Sequence, residues 1–447
     1  MQSLKNLIAF SLAGALAACA GLAEEVSPDM VVEEAFRHSN YTKMAGEDVA
    51  AAEAVKKQAD AAVYPSLDLD ATAAHYEGLQ ENSFPNFIIP AIPERYGGGI
   101  TLSQPLYTGG RISGRRSVAD EHRQASRSSL AASRADVIYQ ALTAYWSWSK
   151  AFYAAESYRA AVSWMEAHDR DMRNQRAAGL VTENDQLSTA VRLDQTRLRL
   201  EEALRHDSLC RAALEKLTGK PLASGAAPAR PPSEDLQAAA DEQELIGGAL
   251  TNRPDVQARK YMLNAEQKNI DVQRSGYFPQ LNARLRGEAG RPNPLNIPPN
   301  TEWLFDAYVG VGVTWNLLDW GLTRAKVSEA RARANRAGYQ LAELNERVVF
   351  EVRQALINLN NALTRVRVAR RAEESARLDL KSATDLWQNG LARHSDVLDS
   401  QARLTDAGFD LVSAAADVAL ARAELDHAYG VAEIKEMEAQ SGKDGSK

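Results

Sequence analysis

Apolar positions along this chain follow two rhythms, and each rhythm is dealt out twice. In residues 66–76, Leu67, Leu69, Ala71 and Ala73 alternate with Asp68, Asp70 and Thr72; a second alternating segment covers residues 100–106. The pattern returns in 280–289, where Leu281, Ala283 and Leu285 alternate with Asn282, Arg284 and Arg286, and in 307–317, where Val309, Val311 and Val313 alternate with Gly310, Gly312 and Thr314. Period-two alternation predicts strands wetted on one face. The other rhythm is helical. Leu341, Leu344, Val348, Val352, Ala355, Leu359, Ala362 and Val366 step by three or four, and Leu404, Leu411, Val418 and Leu425 fall at sevens. That spacing is of the coiled-coil kind, and the many Ala positions let helices approach closely.

The same order of elements occurs twice. A helical pattern from Pro28 to about Val63 stops at Tyr64-Pro65, because the residue before proline avoids the α region. Two strands follow, separated by a Pro- and Asn-rich loop, and a helical pattern then runs from Ile112 to about Ala178 without proline. About 65 residues at 1.5 Å rise make a rod near 100 Å, too long for a compact domain and in need of lateral partners. The chain reverses at Ala178–Asp185, and a further helix ends at Gly219. In the second half Arg253-Pro254 opens a helix that stops at Phe278-Pro279, and the chain reverses again at Asn389–Asp396. Gly179 and Gly390, Leu180 and Leu391, Asp185 and Asp396, and Leu187 and Leu398 are each 211 positions apart. Expected boundaries are a leader over residues 1–18, a first repeat over 28–219, a linker over 220–245, a second repeat over 246–430 and a polar tail over 431–447. An internal repeat at this scale is the strongest organising fact in the sequence.

Composition narrows the class. A net charge of −7 gives no support to nucleic-acid binding, which wants a basic face. Lys5 and the apolar run Leu7–Ala18 read as an export signal. Leu16-Ala17-Ala18-Cys19 resembles a bacterial lipoprotein box, which implies cleavage before Cys19 and a lipid on it; ordinary cleavage after Ala23 is the alternative. No later run reaches the roughly 18 apolar residues of a spanning helix, so any membrane crossing must use strands. The seven His are scattered without metal-ligand spacing, and no phosphate loop or nucleophile elbow is present. The expectation is no enzyme, no metal and no cofactor.

Alternating segments of about ten residues suit tilted membrane strands. Four strands cannot close a barrel in lipid, because an open edge leaves backbone groups unsatisfied. Two copies of the chain would give eight strands and a filled lumen; three would give twelve and a channel, and twelve is the expectation. The fold class is mainly α, internally duplicated, with long antiparallel coiled-coil helices and a β membrane part.

The duplicated strand-pair and long-helix order, the prolines Pro65 and Pro279 before the strands, the Gly-Leu tips and Ser395-Asp396-Val397-Leu398-Asp399 resemble the TolC-like outer-membrane efflux and secretion channels. The resemblance implies a homotrimer with a twelve-stranded barrel in the outer membrane and a helical tunnel in the periplasm. It further implies service as the exit duct of a tripartite efflux pump or a type I secretion system, with a periplasmic adaptor protein and an inner-membrane transporter as partners. One departure is that the opening helix carries its proline only in the second half, at Arg253-Pro254, where the first has Ser39-Asn40. The rival class is a periplasmic coiled-coil structural or adaptor protein whose strands form a soluble sheet.

Candidate site residues gather at the tips. Asp396 and Asp399, spaced i, i+3, share a helix face; in a trimer they would make rings of carboxylates that select cations at the pore mouth. Alternatively, Asp396 caps the helix start and Asp399 is a solvated charge. The resemblance implies a closed mouth in which Trp387 and Arg393, the latter displaced by one position from the family's arginine, meet Asp185 of the first tip; the alternative for Trp387 is coiled-coil packing. It also implies that Gly179, Leu180, Gly390 and Leu391 dock the adaptor, although glycine there also simply permits the turn. The aromatic run Tyr145-Trp146-Ser147-Trp148 reads as packing within the helical wall.

Overall fold

The computed structural model describes residues 25–85, 87–223, 225–231, 241–293, 295 and 298–430. Cys19, the leader over residues 1–18, the alternative cleavage after Ala23, residues 224 and 232–240 of the linker and the tail over 431–447 lie outside the described residues. In chain order the elements are β1 (Glu25–Val26), α1 (Pro28–His38), α2 (Asn40–Ala61), β2 (Ser66–His75), β3 (Asn82–Phe84), β4 (Phe87–Ile89), β5 (Glu94–Tyr107), α3 (Arg111–Ala177) and α4 (Glu183–Thr218). They continue as β6 (Ala227–Pro228), α5 (Glu242–Asn252), α6 (Pro254–Arg274), β7 (Gln280–Arg291), β8 (Leu304–Thr314), α7 (Leu322–Gln388) and α8 (His394–Tyr429).

Helices α3 and α7 have the same 67 residues, and α4 and α8 the same 36. The two halves therefore keep one register from the end of the strands to the last helical turn. The missing proline does not change the first half. Ser39 interrupts the helical pattern where Arg253 does in the second, and its hydroxyl accepts from the amide of Thr42 at 3.2 Å, restarting the helix as a proline would.

The chain divides into two compact units. One holds residues 45–129 and 255–344 and is built on an antiparallel sheet in the order β2-β5-β7-β8. Register explains the alternation in the sequence. Leu67 pairs with Leu102, Leu102 with Leu285 and Leu285 with Val309, so one apolar row crosses all four strands. This face is open in the chain, with Leu69 and Val309 about four-fifths exposed, at 80% and 81%. On the other face Asp70, Gly99 and Glu288 stand in one row, and Thr101 and Arg286 in the next. Arg286 reaches across β5 to Asp70 at 2.8 Å and 3.0 Å, donates to Thr101 Oγ1 at 2.9 Å and pairs with Glu288 at 2.5 Å.

Strand β5 begins at Glu94, not Ile100. Tyr96-Gly97-Gly98-Gly99 reads as a loop in isolation, but β2 supplies the ladder partners Ala71, Thr72 and Ala73, and pairing overrides the low strand propensity of glycine. Strand β8 covers Leu304–Thr314 and so starts and stops three residues earlier than its alternation suggested. Aromatic side chains mark both ends of the sheet. Tyr64, Tyr107, Phe278, Trp315 and Trp320 lie beside the ends joined to helices, and Tyr76, Tyr96, Trp303 and Phe305 beside the ends joined by loops. The strand-to-helix corners repeat as well. Gly109 and Trp320 have φ of 61° and 52°, and Gly110 and Gly321 both have φ of 87°.

The other unit holds residues 25–44, 130–254 and 345–430 of the described chain. Its main core gathers Val31, Val32 and Ala35 of α1, Val137, Ile138, Tyr145 and Trp148 of α3, and Leu214 of α4. The Tyr145 hydroxyl donates to the Val26 carbonyl at 2.7 Å and accepts from the Ala229 amide at 2.8 Å, which fastens the short parallel pair β1–β6 to α3. Burial pushes its phenol up to about 12, so the hydroxyl keeps its proton to donate. Arg253, buried between α5 and α6, pairs with Glu351 at 2.5 Å and donates to the Ala428 carbonyl at 3.3 Å, which closes the second repeat on itself.

Candidate functional site at the hairpin tips

Both tips are built the same way. At the first, Gly179 has φ of 72°, its amide donates to the Arg176 carbonyl at 2.9 Å, and Leu180 donates to Gln175 at 2.9 Å. At the second, Gly390 has φ of 71°, with matching bonds of 2.9 Å from Gly390 to Trp387 and from Leu391 to Leu386. This is the glycine-terminated helix end in which a left-handed residue lets the last carbonyls be satisfied. A side chain there would meet nothing but would be strained by the positive φ. Leu180 and Leu391 stand 75% exposed.

Both following helices open with an aspartate that caps the residue three before it, and the first cap is reciprocal. Thr182 Oγ1 accepts from the Asp185 amide at 3.2 Å, while Asp185 Oδ2 accepts from the Thr182 amide at 3.1 Å and from its hydroxyl at 2.5 Å. The Thr182 hydroxyl, then its amide, hold the Asp185 carboxyl below the usual carboxylate range. In the second tip Asp396 Oδ2 accepts from the Arg393 amide at 3.0 Å. Asp399, one turn on and 61% exposed, faces Arg192 of α4 at 3.5 Å. Among the described residues, no hydrogen bond joins Trp387 or Arg393 to Asp185, because the Asp185 carboxylate is engaged within its own cap.

Trp387 instead enters a ring cluster that ties all four helices together just behind the tips. Trp164 and His168 of α3 stack at 4.9 Å, and His168 stacks on His394 of α8 at 4.8 Å with planes 19° apart. Trp387 of α7 meets His168 at 5.8 Å and His394 at 5.6 Å. From α4, Thr189 Oγ1 lies 2.8 Å from His394 Nε2. The cluster rests on Val162, Met165, Leu193 and Leu398. Both imidazoles are buried. Burial first, and the neighbouring His394 second, push His168 down to about 4; burial also pushes His394 down, against the opposing pull of Asp185.

A family model described as outer membrane efflux protein matches residues 32–220 and 245–431. The chain belongs to that family. As an outer membrane efflux protein it is 26% identical to the outer membrane protein OprJ of Pseudomonas aeruginosa over 305 residues, which is 65% of this chain and 60% of the relative. The matched stretch thus spans less than two thirds of OprJ. It is 25% identical to the outer membrane efflux protein BepC of Brucella suis over 350 residues, covering 74% of this chain and 71% of the relative. The outer membrane protein VceC of Vibrio cholerae shares the fold, with a TM-score of 0.74 over 90% of this chain and 96% of that one, at 18% identity.

Sequence reasoning singled out Asp396, Asp399, Asp185, Trp387, Arg393 and the four Gly-Leu residues, and the structure brings them to the two reversals. It missed Trp164, His168, Thr189 and His394. Position 379 carries Asp where the matched position of the first repeat, 168, carries His. That mismatch was the available signal.

Proposed function

We propose that three copies of this chain close a twelve-stranded barrel in the outer membrane and form, with their helices, the periplasmic tunnel of a tripartite efflux pump. The observation that carries this reading is the sheet. It has four antiparallel strands, an exposed apolar row across all of them and a charged opposite face. Its outer strands β2 and β8 are each paired on one side among the described residues. In lipid those edges must be satisfied by other chains. As a soluble sheet the protein would leave Leu67, Leu69, Val309, Val311 and Val313 in water, each at least 64% exposed. The efflux family membership favours a pump over a type I secretion system.

In this assembly three copies of Asp396 and of Asp399 ring the periplasmic mouth and draw cations. Trp387, Arg393 and Asp185 belong to the closed gate, and the exposed tips Gly179-Leu180 and Gly390-Leu391 meet a periplasmic adaptor that links to an inner-membrane transporter. A lipid on Cys19 would add an anchor beside the barrel. The test combines mass with conductance. The detergent-purified mature protein should have the mass of three chains and form channels in planar bilayers. Asp396→Ala with Asp399→Ala should leave the trimer intact and weaken its cation preference. A monomeric or dimeric particle would overturn the barrel, and unchanged selectivity in an intact trimer would return both aspartates to capping and surface roles.

A further inference from the structure

The two stacked imidazoles behind the tips are more than packing, because their nitrogens are arranged for the neutral state alone. Thr189 has one hydroxyl hydrogen, and it goes to the Asp185 carbonyl at 2.9 Å. Its oxygen must therefore accept from His394 Nε2 at 2.8 Å, which fixes the proton of His394 on Nε2 and leaves Nδ1 bare. His394 Nδ1 and His168 Nε2 are both buried without a partner. A proton added to either nitrogen would find no acceptor there, and two imidazolium rings stacked at 4.8 Å would repel.

A metal does not explain the pair. Nearly parallel rings hold their lone pairs side by side, so the two bare nitrogens cannot converge on one ion. Among the described residues no group of three His, Cys, Asp or Glu could hold one.

Resting on the channel reading above, we propose that the His168–His394 stack is an acid-released latch: neutral imidazoles hold the two hairpins of a chain together, and their protonation frees the tips that close the mouth. The groups facing the stack are few. Asp169 and Asp171 act from α3 and Asp185 from α4, α7 supplies the uncharged Trp387, and α8 supplies His394 itself. Asp169 pairs with Arg173 through Oδ2 at 2.7 Å, while its Oδ1 is buried and bonds neither imidazole, and Asp185 is held by Thr182. None donates or accepts a hydrogen bond at the bare nitrogens.

The direction follows from linkage. A histidine held down in the closed form stabilises that form fully above its ordinary value, and loses this as the pH falls toward the held-down value. His168 alone, at about 4 when latched and 6.5 when exposed, makes opening about 30-fold easier near pH 5 than near neutrality. Asp426, pushed up to about 6 by burial at the far end of α8, titrates in the same window, so the test must separate the two.

Hydrogen exchange on the full-length trimer, corrected for intrinsic rates, reads the amides of 164–176 and 383–398 at about pH 7.5 and 5. Wild type should lose about 30-fold or more of its protection there on acidification. The double variant His168→Phe, His394→Phe keeps two stacked rings and should lose none, while Asp426 titrates as before. If that variant fails to assemble, His168→Gln should shrink the wild-type fall by about 30-fold. An unchanged wild type, or a variant that falls equally, overturns the latch. The readout needs no pore. A conducting trimer with pH-insensitive tips sinks the latch and leaves the channel, whereas a pH-sensitive hairpin in a non-conducting monomer does the reverse.

Discussion

The two hairpin ends have the same backbone and opposite chemistry. In the first repeat Arg176 of α3 pairs with Glu183 of α4 at 3.2 Å, with the glutamate 78% exposed. The matched residues of the second repeat are Trp387 and His394, whose rings meet at 5.6 Å. The exchange runs the other way one step deeper. In the second repeat Asp379 of α7 pairs with Arg403 of α8 at 2.7 Å and accepts from Ser400 at 3.0 Å. The matched residues of the first are His168, Arg192 and Thr189, where His168 has joined the ring cluster and Arg192 faces Asp399 instead. Even an identical residue diverges: Leu187 is 61% exposed, and its counterpart Leu398 is 8% exposed. The duplication thus fixes where helices begin, turn and end, whereas the neighbours that each helix meets decide what its side chains do.

The comparison can be broken at matched positions. The largest effect is expected from His168→Asp, which copies Asp379 into the first repeat. There the carboxylate would be buried among rings, with its would-be partner Arg192 engaged elsewhere. An unpaired buried charge should cost about 3 kcal/mol of local opening free energy, read as lost exchange protection over 164–176; retained protection would show that the ring cluster holds nothing. Next come Trp387→Ala and its counterpart Arg176→Ala. Losing a partly buried indole should cost about 2 kcal/mol, and losing an exposed ion-pair partner under about 0.5 kcal/mol, both measured by limited proteolysis at the tips. Equal costs would mean that the ring cluster contributes no more than the salt bridge it replaces.

The smallest effect belongs to acid acting on the second repeat. Arg403 first, and Ser400 next, hold the Asp379 carboxyl below its ordinary value. Such a group stabilises the paired form above its ordinary value and loses this only as the pH falls through the lowered one. The Asp379 contact should therefore survive at a pH that opens the histidine stack, and Asp379→Asn at neutral pH should cost only a few tenths of a kcal/mol. Loss of exchange protection around Asp379 before that around His168 would reverse the proposed order.

Much of this was legible because period and punctuation are local. Alternation marked β2, β7 and β8, proline marked the helix stops before the strands, and the Gly-Leu pairs marked both reversals. Glycines 97–99 hid the start of β5, since strand pairing and not propensity holds them extended. The break at Ser39 was hidden because a serine cap does there what proline does in the second half. The ring cluster could not be read from spacing. His168 and His394 meet only after both hairpins have folded and packed, so no window along the chain contains them together.

Gly99 deserves its place on the polar face of the sheet for an electrical reason. A methyl group there would sit 3.0 Å from the Arg286 Nη2 and 3.1 Å from the Gly287 carbonyl, tight enough that the guanidinium lying across β5 would have to give way slightly. That shift would loosen its two bonds to Asp70 on β2 and disturb a stretch of wall balanced between one cation and two carboxylates. In a water-filled barrel the missing side chain of an uncharged residue would thus set the local potential that a passing solute meets, and Gly99→Ala would alter ion preference without altering a single formal charge.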